Sequence, residues 1–144
     1  MLFAITDLLN HEQSVTWLEQ HFHPEGLRCP SCGAAREQAR PFRTTQRGLL
    51  TYRCKCCQSA YNLYSGTIFA NSLLPPAKVV LLLRGVCKGE SSTALAQELS
   101  LSRTSVHEWR HKIQQNGYAM RAQEALPDAC SETDEMFQNA GEKR

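Results

Sequence analysis

Two cysteine pairs carry the clearest chemistry in this chain. Cys29-Pro30-Ser31-Cys32 is followed by twenty-one residues and then by Cys54-Lys55-Cys56-Cys57. A C-x-x-C turn brings two thiols to one point, and two such turns facing each other make a tetrahedron of sulfur suited to zinc. Cys54 and Cys57 have the usual spacing, whereas Cys54 and Cys56 are too close, so the expected ligands are Cys29, Cys32, Cys54 and Cys57. Four thiolates leave no open position for water, so the zinc would be structural and not catalytic. Free thiols in a small β domain are the competing reading. His21 and His23 precede the first pair, but four cysteines already complete a site, and both read as surface residues. Cys87 reads as a small core residue on the apolar face of a helix, and Cys130 as isolated and inert.

A second group lies in STALAQELSLSRTSVHEW, Ser92 to Trp109. Leu95 and Leu99 share one helix face, with small Ala96 where another helix could cross closely. Ser100-Leu101-Ser102 makes a short turn, and Ser102 is placed to cap the next helix. Val106, Trp109 and Ile113 then form a buried stripe. This spacing resembles a helix-turn-helix; an ordinary helical hairpin shares it. As a DNA reader, the second helix would present Arg103, Thr104, His107, Glu108 and His111 to the major groove. Arg103 suits guanine, Thr104 a thymine methyl, and Glu108 the amino group of cytosine. Arg84, Lys88, Arg110 and Lys112 suit phosphates, which position without specifying. The alternative for each charge is a solvated helix face.

The elements that position these residues are short. Val15, Leu18 and Phe22 predict an amphipathic helix over Glu12 to Phe22, stopped by His23-Pro24-Glu25-Gly26. Strand-like runs follow at Pro41 to Thr45, Leu49 to Cys54, Ala60 to Leu63 and Thr67 to Phe69. Pro75-Pro76 opens a helix to about Cys87, and further helices are expected near Thr93–Leu99 and Arg103–Gln115. The expected fold is small α+β: a zinc ribbon of short antiparallel strands, then a three-helix helix-turn-helix module. The division is a helical lead-in over 1–28, the ribbon over 29–72, the helical module over 73–118, and a remainder over 119–144. About forty residues from Cys29 to Phe69 bury too little to fold unaided, so metal should supply much of the ribbon's stability.

The net charge of +2 conceals a block pattern. Residues 1–27 hold four acidic side chains and no Lys or Arg, and 28–58 hold six Arg and Lys55 against Glu37. Residues 78–121 are again basic, and 122–144 carry six acidic against two basic residues. A basic centre between acidic flanks suggests a polyanion partner. MLFAITDLLN does not read as a signal peptide, and Val79 to Leu83 is too short an apolar run to span a bilayer. Seven cysteines without a secretion signal point to metal binding in a reducing compartment, and the expected location is the cytoplasm.

HPEGLRCPSCG, then YRCKCCQSAYNLYSGTIFANSLLP, then the helical pair, then ETDEMF together resemble the N-terminal part of a bacterial insertion-sequence transposase. The family carries a zinc ribbon ahead of a DDE-type catalytic domain of RNase H-like fold. The resemblance spans roughly Pro24 to Lys143, and Cys56 departs from the family's usual non-cysteine residue. It implies DNA transposition, with binding of the element's terminal repeats on double-stranded DNA. It also implies that Asp134 is the first acidic residue of a metal-binding triad on the first catalytic strand. Magnesium or manganese would serve only an intact member. Without the resemblance, 122–144 reads as a solvated acidic tail. On this reading the chain is a truncated transposase, inactive alone, whose partners are DNA and either full-length transposase or a second copy of itself. The alternatives are a zinc-ribbon and helix-turn-helix transcriptional regulator, and a zinc adaptor that binds protein.

Overall fold

The computed structural model of the protein describes residues 10–120. Asp134, Cys130 and all but the first two residues of the 119–144 segment therefore lie outside the described residues. The first element is α1 (His11–Phe22). Its start is set by Asn10, whose side chain accepts from the Glu12 N–H at 3.0 Å, supplying one of the partners that a first turn lacks. Leu18 is fully buried, and Val15 and Phe22 pack beside it, as the i, i+3, i+7 spacing requires.

Three strands form one antiparallel sheet in the order β1 (Ala39–Thr44), β2 (Leu50–Cys54), β3 (Ala60–Tyr61). β1 and β2 make a hairpin in register from Ala39↔Cys54 to Thr44↔Leu50. The strand expected at Thr67–Phe69 is instead part of a run of turns. There the Thr67 hydroxyl donates to the Tyr64 carbonyl at 2.8 Å and accepts from the Phe69 N–H at 3.1 Å. A threonine that satisfies the neighbouring backbone locally removes the need for a ladder. β3 is likewise shorter than Ala60–Leu63, because the Asn62 side chain accepts from the Tyr64 N–H at 2.9 Å and turns the chain.

Three helices follow: α2 (Pro76–Cys87), α3 (Ser92–Leu99) and α4 (Arg103–Met120). Pro76 begins α2 at a position where its missing N–H costs nothing. α2 ends in a Schellman arrangement: the Glu90 N–H reaches the Gly85 carbonyl and Gly89 donates to Val86, with Gly89 at φ +75°. α3 ends in the same way on Ser100 at φ 50°, with Leu101 donating to Ala96 at 3.0 Å. Ser102 then accepts from the Ser105 N–H at 3.0 Å and starts α4. α4 continues past the expected Gln115 to Met120.

One core serves most of the described residues. Leu18 of α1, Leu49, Leu63, Tyr64 and Phe69 of the middle segment, and Val79, Leu82, Leu95, Leu99 and Val106 of the helices bury against one another. Phe69 stacks on Phe22 at 5.7 Å and on Trp109 at 4.9 Å, geometry in which ring pairs attract beyond simple burial. A second, smaller cluster holds Leu27, Cys29, Tyr52, Cys54 and Tyr61. Cys87, expected in the core, is exposed at the end of α2. Its neighbour Val86 takes the inward position.

The close helix crossing is made by Gly85 as well as by buried Ala96. A Cβ on Gly85 would lie 2.2 Å from a methyl of Leu95, and Leu95 is itself fully buried. Gly85→Ala should therefore destabilise the fold by about 1–3 kcal/mol despite alanine's better helix propensity. Chemical denaturation checks this; Gly117→Ala, where a Cβ meets nothing, should be neutral or mildly stabilising.

Candidate metal centre

The two cysteine turns are built alike. In the first, Gly33 donates to the Cys29 carbonyl at 2.8 Å and Cys29 donates to Ala34 at 2.9 Å. In the second, Gln58 donates to the Cys54 carbonyl at 3.1 Å and Cys54 donates to Ser59 at 2.9 Å. Both turns need positive φ at the residue after the second cysteine: Gly33 has φ 73° and Gln58 has φ 63°. β2 delivers Cys54 to the second turn. The bridge between Arg28 and Ala35 closes the first.

The four sulfurs of Cys29, Cys32, Cys54 and Cys57 all lie within 4.8 Å of one another. Cys29 and Cys57 are 3.5 Å apart, and Cys32 and Cys54 are 3.6 Å apart. A tetrahedron with metal–sulfur bonds of about 2.3 Å has sulfur–sulfur edges of roughly 3.8 Å, so the cluster fits such an ion. Cys29 and Cys54 are buried, and Cys32 and Cys57 face outward. Cys56 is outside the group and donates to the Gln38 side chain at 3.3 Å.

The surroundings favour thiolate at two of the positions. The Ser59 hydroxyl and N–H hold Cys57 down at about 6, and the N–H of Cys57 holds Cys54 below its ordinary value. Cys32 accepts from the Ala34 N–H, but the neighbouring sulfurs of Cys57 and Cys54, with desolvation and Cys29 adding to them, outweigh that bond and push it up to about 12. Without a cation the four sulfurs cannot all ionise, because like charges this close oppose one another. Ser59 carries no signal in the sequence beyond its place two residues after Cys57.

The two histidines are engaged elsewhere. His21 stacks on Trp17 at 3.9 Å, and His23 pairs with the Leu63 carbonyl at 2.8 Å. On α4, Arg103, Thr104, His107, Glu108 and His111 are all exposed. Their spacing puts them on the face away from Val106, Trp109 and Ile113. Arg84 and Lys88 are exposed at the end of α2, and Arg84 lies 3.9 Å from Glu90. Lys112 sits over the Trp109 ring at 4.6 Å. Arg110, expected to face phosphates, is half-buried and donates to Ser92 Oγ at 3.1 Å and to the Glu90 carbonyl. It ties α4 to the start of α3.

The equivalence of the two turns makes a reciprocal prediction. Gln58→Gly should stabilise the protein, and Gly33→Ala, with open space around the new Cβ, should destabilise it, each by about 1 kcal/mol. Denaturation at fixed metal concentration measures both. No family model, curated protein or solved structure matches the chain.

Proposed function

We propose that the protein binds duplex DNA through α4, with a structural zinc on Cys29, Cys32, Cys54 and Cys57 holding the sheet. The observation that carries the reading is the sidedness of α4. One face is buried on Phe69 and α3, while Arg103, Thr104, His107, Glu108 and His111 stand together on the other. On this reading α3, the Ser100–Ser102 turn and α4 form a helix-turn-helix. Arg103 and Thr104 then occupy the first turn of the helix that enters the major groove. Lys88 and Lys112 supply phosphate contacts, whereas Arg110 braces the helix. The sequence resemblance extends this to recognition of the terminal repeats of an insertion sequence. A DNA-binding regulator of transcription makes the same use of α4.

The zinc is tested by native mass spectrometry. One zinc per chain is expected; Cys57→Ser should lose it, and Cys56→Ser should keep it. Loss from Cys56→Ser with retention in Cys57→Ser would overturn the ligand set. Affinity should fall as the pH is lowered, because protons compete for the thiolates. Cys57, held at about 6, should be among the last sulfurs to protonate.

DNA binding is tested by titration with duplex at stepped salt. If about five phosphates are neutralised, the log–log slope should be near −4 to −5. Arg103→Ala should cost roughly 1–3 kcal/mol on the preferred sequence and relax the preference. Equal loss on specific and random DNA would make Arg103 a phosphate contact. Absence of any duplex binding would leave the protein adaptor as the better reading.

A further inference from the structure

The hairpin carries a basic feature that the α4 reading does not use. β1 lies at the edge of the sheet, and every residue from Arg40 to Thr44 is exposed. The register shifts between Pro41 and Arg43, so Phe42 is the extra residue of a bulge. Bulges re-aim side chains and interrupt edge pairing. Phe42 is accordingly an exposed aromatic residue, and it is flanked by cations. The Arg53 guanidinium lies 4.2 Å from its ring centre, and that of Arg43 lies 5.6 Å away. Arg40 is the direct cross-strand partner of Arg53, which places the two on one face of the sheet.

Like charges opposite one another destabilise a sheet, and no described residue forms an ion pair with these. Among the described residues the ion pairs are Arg36–Glu19 and Arg84–Glu90, neither of which involves this face. The Nε–H of Arg53 is buried without an acceptor, so its guanidinium is held against the ring and not by a hydrogen bond there. The result is an open row of arginines, Arg40 and Arg43 on the exposed edge strand and half-buried Arg53 beside them on β2. An enclosed pocket would suit a small anion; an open row suits a polymer of phosphates, which guanidinium forks bind in bidentate fashion.

We infer that Arg40, Arg43 and Arg53, arranged around Phe42, form a second DNA contact that grips the phosphate backbone without reading sequence. The inference rests on the reading of the protein as a duplex-DNA binder. The ring stiffens the Arg43 and Arg53 guanidinium groups, so less side-chain freedom is lost on binding.

Fluorescence anisotropy on random-sequence duplex at stepped salt tests it with the full chain. Arg40→Gln with Arg43→Gln should reduce the magnitude of the log–log slope by roughly 2, because two phosphate contacts disappear. Arg28→Gln with Lys55→Gln, exposed charges in the same basic segment, should change it by less than roughly 1. Phe42→Ala removes no charge, yet should weaken binding about two- to fivefold by freeing the guanidinium groups. Equal slope changes for the two pairs would overturn the inference, as would unaltered affinity in Phe42→Ala, and both outcomes leave the α4 reading standing. No binding by the unmodified chain would overturn both.

Discussion

Four sulfurs within 4.8 Å of one another are the constraint from which the first half of the molecule follows. Thiolates at that distance repel, and only a shared cation turns the arrangement into a stabilising one. The two cysteine turns are separated in sequence by the β1–β2 hairpin, so bringing the sulfurs together also holds the open end of that hairpin. Ala39 pairs with Cys54 at one end, and the chain reverses between Thr45 and Leu49 at the other. The cluster around Cys29 and Cys54 contains few apolar residues, too few to hold three short strands by burial alone. The zinc we propose would supply what that small core lacks.

The sheet and the helices are joined by aromatic packing. Phe69, on the turns after β3, lies between Phe22 of α1 and Trp109 of α4. Trp109 is also the residue over which Lys112 sits, so the same ring faces core on one side and cation on the other. The helix proposed to meet DNA is thus seated on the turns that follow β3, within the main core. A rigid seat matters for a reading helix, because side chains reach base edges only if the helix axis is held in place.

Tertiary structure also sorts the basic residues, which composition treats as one class. Arg36 reaches Glu19 and the Tyr52 hydroxyl, Arg47 caps the Ser72 carbonyl, and Arg110 braces α4. These cations are committed to the fold. Arg103 and Lys88 are exposed, and Arg40 and Arg43 form an exposed row with Phe42. A guanidinium satisfied by carbonyls and hydroxyls has fewer donors left to offer a phosphate.

The two alike turns of Cys29 with Cys32 and of Cys54 with Cys57, and the boundaries of α2 and α3, were legible in the sequence, because each depends on neighbours a few residues apart. C-x-x-C spacing, proline at a helix start and serine caps act locally and leave a local mark. The sidedness of α4 was legible for the same reason, since helical periodicity decides which residues share a face. What the chain alone could not decide were matters of partnership across distance. The run Thr67–Phe69 has strand-forming residues but finds no strand to pair with, and its threonine closes a turn instead. Arg110 resembles any other helix cation until Ser92 and Glu90 are brought beside it. Gly85 carries no sign of its role until Leu95 packs on it, and Phe42 becomes a platform only when β2 places Arg53 against its ring. Local spacing marks most of the elements; packing determines which strand-like runs pair and which side chains remain free to act.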